Sequence, residues 1–105
     1  MESIKNIYDE LHWDEAKGYP VGTRMKTLRD EKGHKTVLLK LPKGFSAQPH
    51  SHIFDEQHLI ISGEYESEGE IFTSGSYRVI HAGNDHGPFN SQNGALILVI
   101  WNPEK

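Results

Sequence analysis

The sequence of 105 residues contains no cysteine. This absence excludes disulfide bonds and thiolate ligands, so nitrogen and oxygen atoms must hold any bound metal ion. No apolar run approaches the roughly 20 residues that a membrane-spanning helix needs. The N-terminus, MESIKNIYDE, is polar and does not read as a secretory signal. We therefore expect a cytoplasmic protein that has no membrane partner.

The chain also lacks a strong charge of either sign, since its formal net charge is −4. Its lysines and arginines are scattered and form no basic stripe interleaved with aromatic residues, which argues against nucleic-acid binding. Hydrophobic residues make up only 35% of the chain, but the aliphatic ones cluster in short runs. This pattern favours one small folded domain over disorder.

The order of short apolar runs and glycine turns predicts an all-β domain. We expect an N-terminal arm over residues 1–22, with Trp13 as its anchor and at most one short helix, followed by a β-barrel domain over residues 23–105. Gly33 is expected in the left-handed conformation of a hairpin turn. Strands are predicted over residues 24–28, 35–41, 59–65, 71–72, 77–80 and 95–101, the last (ALILVIW) fully buried.

The segment GFSAQPHSHIFDEQHLIISG carries the strongest functional signal. His50 and His52 are two residues apart, so they point to the same face of a strand, and Glu56 follows. A distant third imidazole, His86, lies in HAGNDHGPFN. Three imidazoles and one carboxylate predict a site for one divalent transition metal per chain, with a position left open for a substrate. Asp55 and Gln57 flank Glu56 and also carry side-chain oxygen atoms, so the position of the oxygen ligand is uncertain by one residue.

Other side chains near these candidates admit two interpretations each. His58 is expected to face the interior, either as an acid/base or substrate contact in catalysis or as a histidine that orients Glu56. His81 either lines the barrel mouth or faces water from a loop. Phe54 and Phe89 are candidates for the wall of a substrate pocket. Four other aromatic side chains are expected in the core: Phe45, Tyr65, Tyr77 and Trp101.

The spacing of these residues resembles the two sequence motifs of the cupin superfamily. Gly44, His50, His52, Glu56 and Gly63 match the first motif at every fixed position. The second motif is a glycine, five residues, a proline, a short gap, a histidine, three residues and an asparagine. Gly75, His86 and Asn90 match it, and His81 takes the place of the usual proline. The resemblance implies a jelly-roll barrel, the double-stranded β-helix, with the metal inside.

A narrower resemblance concerns the stretch between the motifs, GEYESEGEIFTSGSYRVIHAGNDHGPFNSQNG, which is similar to the cupin domain of ChrR-type zinc anti-sigma factors. The start of the chain is similar to small single-domain relatives of that group. These include non-haem iron dioxygenases that cleave carbon–carbon bonds in β-diketones and hydroxyacetophenones. The resemblance implies that the protein is a homodimer and binds a small molecule.

Three functions are therefore considered. The first is an iron dioxygenase that acts on a small dicarbonyl or aromatic-ketone substrate. The second is a metal-dependent sensor or binding module of the anti-sigma type, although a separate sigma-binding helical domain is not expected from this sequence. The third is a metal-dependent isomerase or lyase, because fold does not fix function. Iron, zinc, manganese and nickel all suit the predicted ligands.

Overall fold

The computed structural model describes residues 6–48, 55–83 and 87–101. In this part of the chain all regular structure is β-strand, and no segment forms a helix long and apolar enough to cross a membrane. The strands are β1 (Asp14–Glu15), β2 (Arg24–Glu31), β3 (His34–Leu41), β4 (Phe45–Ala47), β5 (Glu56–Ser67), β6 (Glu70–Thr73), β7 (Tyr77–Ile80), β8 (Phe89–Ser91) and β9 (Ala95–Trp101). The prediction of an all-β fold is confirmed. Three predicted metal ligands and one predicted pocket residue lie outside the described residues: His50, His52, His86 and Phe54.

All strand pairs are antiparallel and form one curled sheet built around β5. The hydrogen-bonded order is β1-β2-β3-β9-β5-β8-β4, and β6 and β7 also pair with β5. The first half of β5 pairs with β7 and β9, whereas its second half pairs with β6 and β8. This division allows the sheet to curl around an interior.

Two tight hairpins have the turn chemistry that the sequence predicts. Lys32 and Gly33 connect β2 to β3 with φ angles of 50° and 80°. Glu68 and Gly69 connect β5 to β6 with φ angles of 54° and 82°. Positive φ at both central residues is the type I′ geometry, which matches the twist of antiparallel strands. The left-handed conformation predicted for Gly33 is confirmed. The two strands are longer than predicted, because β2 continues to Glu31 and β3 begins at His34.

The core lies between the inward-facing residues of the curled sheet. On β3 these are Val37, Leu39 and Leu41. The neighbouring strand β9 contributes Ala95, Ile97 and Val99, each paired in register with one of them. The expectation that residues 95–101 are fully buried is wrong, because the alternate residues of β9 face the outer side of the sheet and are half-buried.

The phase of β5 changes along its length. Before Ile61 the even-numbered residues, Glu56, His58 and Ile60, are buried; after it the buried residues are Tyr65 and Ser67. The register against β9 skips one residue between Ile60 and Ser62, which is a β-bulge. This extra residue turns the second half of the strand over, so that the side chain of Tyr65 enters the same interior as that of His58.

Residues 6–22 pack against the outer face of the sheet and also reach its core. Within the described residues this segment contains the short strand β1, which pairs with β2, and no helix. Lys26, only 3% exposed, donates hydrogen bonds from Nζ to the carbonyl oxygens of Asn6 (3.0 Å) and Asp9 (2.9 Å). Ala16 belongs to the hydrophobic core. A buried cation thus holds the start of the chain against the sheet.

Candidate active site

The sheet curls around a cavity of about 690 Å³. This volume lies in the range of pockets that hold small molecules. Most of the described wall is aliphatic or aromatic, and the polar groups include a carboxylate, an imidazole and two phenols. The described lining residues are Gly18, Tyr19, Pro20, Leu39, Leu41, Phe45, Ser46, Ala47, Gln48, Glu56, His58, Tyr65, Phe89 and Ile97.

Glu56 is the acidic residue of this wall. It begins β5 and is 4% exposed. Its two neighbours have their side chains engaged elsewhere. Oδ1 of Asp55 accepts a hydrogen bond from the backbone N–H of Ala82 (2.8 Å). Gln57 faces the outer side, where its Oε1 accepts a hydrogen bond from the Tyr77 hydroxyl (2.6 Å). Of these three consecutive side chains, Glu56 is the one that lines the cavity.

His58 lies directly beside Glu56 on the same face of β5. Its side chain is buried, and its Nε2 lies 3.2 Å from Oε1 of Glu56. Its other ring nitrogen, Nδ1, lies 2.8 Å from the hydroxyl oxygen of Tyr65. Both nitrogens of the imidazole are therefore engaged by protein groups, one by the carboxylate and one by the phenol. The role of His58 in catalysis stays a prediction.

Tyr65 extends this arrangement to Arg78 on β7. The Arg78 guanidinium donates from Nη1 to the Tyr65 hydroxyl at 3.5 Å and lies 4.4 Å from the centroid of the Phe72 ring. Burial raises the pKa of the Tyr65 hydroxyl, and the neighbouring Arg78 charge opposes that rise. The prediction that Tyr77 is a core residue is wrong. Strand alternation places Tyr77 on the outer face of β7, and its neighbour Arg78, which sequence analysis did not single out, on the other face. Tyr77 is 57% exposed, whereas Arg78 is half-buried against Tyr65 and Phe72.

Tyr19 brings the N-terminal segment into the cavity wall, which sequence analysis did not foresee. Burial, and then the negative charge of Glu56, raise the pKa of the Tyr19 hydroxyl to about 12. The phenol is therefore a neutral hydroxyl at physiological pH. The Tyr19 hydroxyl lines the same cavity as Glu56 and interacts electrostatically with its carboxylate. It therefore adds a hydrogen-bonding group to this part of the wall.

The other predicted residues lie in different environments. Phe89 is 6% exposed and lines the cavity, and its ring centroid is 6.4 Å from that of His58. His81 is exposed, and its Nδ1 lies 3.7 Å from Oδ2 of Asp55. His81 therefore faces water from the loop, and it is not one of the described residues that line the cavity.

The donor chemistry of this wall fits a divalent transition metal. No group of three or more metal-binding side chains occurs within the described ranges, which contain only Glu56 of the four predicted ligands. A carboxylate in a largely apolar wall is costly unless a positive charge compensates for it. A divalent ion held by Glu56 and imidazoles would supply that charge.

The comparisons with solved structures establish the fold. A chain in the crystal structure of Rhodobacter sphaeroides SigE in complex with the anti-sigma ChrR has a TM-score of 0.76 and 21% identity, covering 90% of this chain and 51% of that one. The present chain thus spans about half the length of that chain. An RmlC-like cupin from Shewanella frigidimarina has a TM-score of 0.76 and 18% identity, covering 100% and 96%. These similarities confirm the predicted cupin jelly-roll.

An enzyme is also among the similar structures. The acetylacetone dioxygenase from Acinetobacter johnsonii has a TM-score of 0.81 and 17% identity, covering 96% of this chain and 73% of that one. Among curated proteins, none matches. The sequence profile of the ChrR cupin-like domain matches residues 3–104, which is nearly the whole chain. The chain therefore belongs to the ChrR cupin-like domain family.

Proposed function

We propose that this protein is a metal-dependent cupin that binds a small oxygen-containing molecule, and that it works as a non-haem iron dioxygenase on a dicarbonyl or aromatic-ketone substrate. The observation that carries this proposal is the pairing of Glu56 and His58 in the wall of an apolar cavity of about 690 Å³. One end of the cavity thus offers metal-binding chemistry, and the rest offers an apolar surface. A compact ketone has the matching division between a polar and an apolar part.

The proposed ligands are Glu56 together with His50, His52 and His86, and the metal is one divalent ion per chain. When bound, iron would supply Lewis acidity and access to oxygen chemistry. Glu56 contributes a negative charge and is oriented by His58, through the 3.2 Å contact between Oε1 and Nε2. Because His58 already engages the carboxylate, we favour its orienting role over a direct acid/base role.

The cavity wall would position the substrate and exclude water. Phe45, Phe89 and Ile97 present apolar surface. Tyr19, whose pKa is about 12, keeps its proton and could donate a hydrogen bond to a carbonyl oxygen. The described wall contains no lysine or arginine, so the cavity favours a neutral ketone over a strongly anionic compound. We include Phe54 among the proposed pocket residues on its sequence position alone.

A second candidate function is a metal-dependent sensor or binding module. The family match over residues 3–104 favours it, since that family is named for the cupin-like domain of ChrR. In this case the same cavity would bind a small molecule, or the metal alone, without turnover. Partner binding of the kind named for ChrR is a proposal for this chain and would require a surface beyond the cavity.

Oxygen consumption separates the two candidates. The protein is loaded with iron(II) under anaerobic conditions and then exposed to oxygen with a panel of β-diketones and hydroxyacetophenones. A dioxygenase consumes oxygen in proportion to substrate and gives two carboxyl or carbonyl cleavage products. A sensor shows a ligand-dependent rise in melting temperature with no oxygen uptake. Glu56→Gln should abolish uptake, whereas Glu66→Gln, an exposed change on the same strand, should leave it intact.

Isomerisation or elimination products formed without oxygen uptake would contradict both candidates and favour a cupin isomerase or lyase. Elemental analysis of the freshly purified protein is the necessary companion measurement, because zinc suits the same ligands and binds more tightly than iron. Failure of the wild-type protein to bind any divalent transition metal would overturn the proposal as a whole.

A further inference from the structure

We propose that Tyr19 is a specificity-determining residue of the cavity: the segment of residues 16–23 holds its phenol in the wall, and the hydroxyl donates a hydrogen bond to an oxygen atom of the bound molecule. The cavity thereby selects compact ketones over hydrocarbons of the same shape. This role rests on the proposed function for the class of ligand, and it adds the residue that distinguishes this class. It also gives the N-terminal segment, predicted as an arm outside the barrel, a part in ligand binding.

The 16–23 segment is anchored at both ends. The backbone N–H of Ala16 donates to the carbonyl oxygen of Thr23 at 2.9 Å, and these two residues are 4% and 1% exposed. Two tight turns lie between them. In the first, the N–H of Tyr19 donates to the carbonyl oxygen of Ala16 (3.3 Å); in the second, the N–H of Thr23 donates to the carbonyl oxygen of Pro20 (3.1 Å). The segment is therefore a closed loop with a buried base.

Two glycines give this loop its shape. Gly18 and Gly22 occupy the third positions of the two turns with φ angles of 85° and 95°, a region that residues other than glycine rarely adopt. A Cβ atom at Gly22 would lie 3.3 Å from Cβ and Cγ of Pro42, so the loop packs closely on the residue that follows β3. Val21 is 93% exposed, whereas Tyr19 is half-buried. The turns therefore direct Tyr19 inward and Val21 towards water.

The hydroxyl of Tyr19 is available to a ligand. Tyr19 lines the cavity together with its neighbours Gly18 and Pro20, and it packs against the hydrophobic core. The other phenol of the described wall belongs to Tyr65, and its oxygen lies 2.8 Å from Nδ1 of His58. No hydrogen bond joins the Tyr19 hydroxyl to another residue in the described part of the chain. Of these two phenols, Tyr19 is therefore the one with a donor to offer.

An oxygen acceptor inside the cavity satisfies this donor. A hydroxyl in a mostly apolar wall costs free energy unless it is hydrogen-bonded. A phenylalanine at position 19 would cover the same apolar surface without that cost, so the hydroxyl matters only for a ligand that can accept its proton. A ketone oxygen accepts hydrogen bonds, and the rest of a compact ketone suits the apolar surface of Phe45, Phe89 and Ile97. A hydrocarbon of the same shape leaves the hydroxyl without a partner.

Two probe molecules separate the hydrogen bond from packing. Acetophenone and ethylbenzene share a phenyl ring and a two-carbon side chain and differ in the carbonyl oxygen. Both are titrated into the full chain as purified, and the dissociation constants are measured from changes in its amide NMR spectrum. Tyr19→Phe should weaken acetophenone binding by about 2- to 12-fold, the range of one neutral hydrogen bond, and leave ethylbenzene binding unchanged. The matched control is Tyr8→Phe, which removes a hydroxyl from a 71% exposed side chain and should change neither constant.

The proposal is overturned by unchanged acetophenone binding in folded Tyr19→Phe, by an equal loss for both probes, or by a wild type that does not bind acetophenone at millimolar concentration. Failure of the proposed function is visible separately. If the protein binds no divalent transition metal but Tyr19→Phe selectively loses acetophenone, the oxygenase fails and the role of Tyr19 stands. If the iron-loaded protein consumes oxygen with a β-diketone while Tyr19→Phe binds acetophenone as the wild type does, the oxygenase stands and the role of Tyr19 fails.

Discussion

The backbones of Gly63 and Gly94 are in close contact, although the two glycines are far apart in the sequence. The backbone N–H of Glu64 donates to the carbonyl oxygen of Gly94 at 3.4 Å. A Cβ atom at Gly63 would collide with that oxygen and lie 2.8 Å from the Cα of Ala95. Gly63 also has a φ of 77°, which favours glycine. The last glycine of the first motif therefore allows β5 to bend against β9.

Gly63→Ala should destabilise the protein by about 3 kcal/mol or more, because it combines a left-handed backbone with a backbone collision. Gly69→Ala is the control, since Gly69 has a φ of 82° but open space around it. Left-handed strain alone should cost it roughly 1–2 kcal/mol. Urea unfolding of both variants measures the difference, and equal losses would contradict the collision.

Tyr19 predicts a specific response to alkali. The pKa of its hydroxyl is raised in the folded protein to about 12, above the ordinary tyrosine value of 10.0. The folded state therefore holds this proton more tightly than the unfolded state, and the associated stability is present below pH 10 and lost as pH rises towards 12. The loss is at most about 1.4 kcal/mol per pH unit. Tyr19→Phe should flatten this part of the stability curve, measured by urea unfolding at several pH values.

The matched control for that experiment is Tyr8→Phe, which removes a hydroxyl from a side chain that is 71% exposed. An alkaline slope that is the same in Tyr19→Phe and in the wild type would show that folding does not raise the pKa of Tyr19.

Lys26 should hold the N-terminal segment in place. Lys26→Met keeps the aliphatic stem but removes the donors to the carbonyl oxygens of Asn6 and Asp9. Hydrogen bonds from charged groups contribute about 1.5–3 kcal/mol, so we expect a lower stability and a change in the fluorescence of Trp13. The control is Lys40→Met, because Lys40 lies over the same indole ring at the same 5.9 Å but is exposed. Equal effects of the two variants would contradict a special role for the buried cation.

His58→Gln separates orientation of Glu56 from acid/base catalysis. If His58 orients the carboxylate, the variant should lose about 10- to 100-fold in metal affinity. If it is an acid or base, metal affinity should hold while turnover falls by about 10²–10⁴. One metal titration and one rate measurement on iron-loaded protein decide between the two roles. Unchanged values in both would leave His58 as interior packing.

A homodimer is a further prediction of the sequence, and the outer face of the sheet is a suitable surface for it. Leu59, Tyr77 and Val79 lie on adjacent strands and are 37%, 57% and 45% exposed. Burying such a patch against a second copy would remove apolar surface from water. Light scattering at tens of micromolar should give twice the 11.9 kDa chain mass. Val79→Glu should shift it towards the monomer; a monomeric wild type contradicts the prediction.

Sequence pattern alone was sufficient for the long strands, since β3 and β9 are runs of branched residues bounded by turns. It was also sufficient for the hairpin at Gly33, because only positive φ closes a two-residue turn of this type. The short strands β4 and β8 gave no such signal. Three residues contain too little alternation to reveal a period, and their pairing depends on contacts made far along the chain.

The sequence also determined which metal ligands are possible. It contains no cysteine, and the residues at cupin spacing are His50, His52, Glu56 and His86, so the predicted site has only nitrogen and oxygen ligands. Only the tertiary structure decided what surrounds Glu56. The bulge at Ile61 reverses the faces of β5 and so brings Tyr65 to His58, and packing of the N-terminal segment brings Tyr19 into the wall. A one-residue slip changes which side chains face inward, and strict alternation along the sequence does not reveal where such a slip occurs.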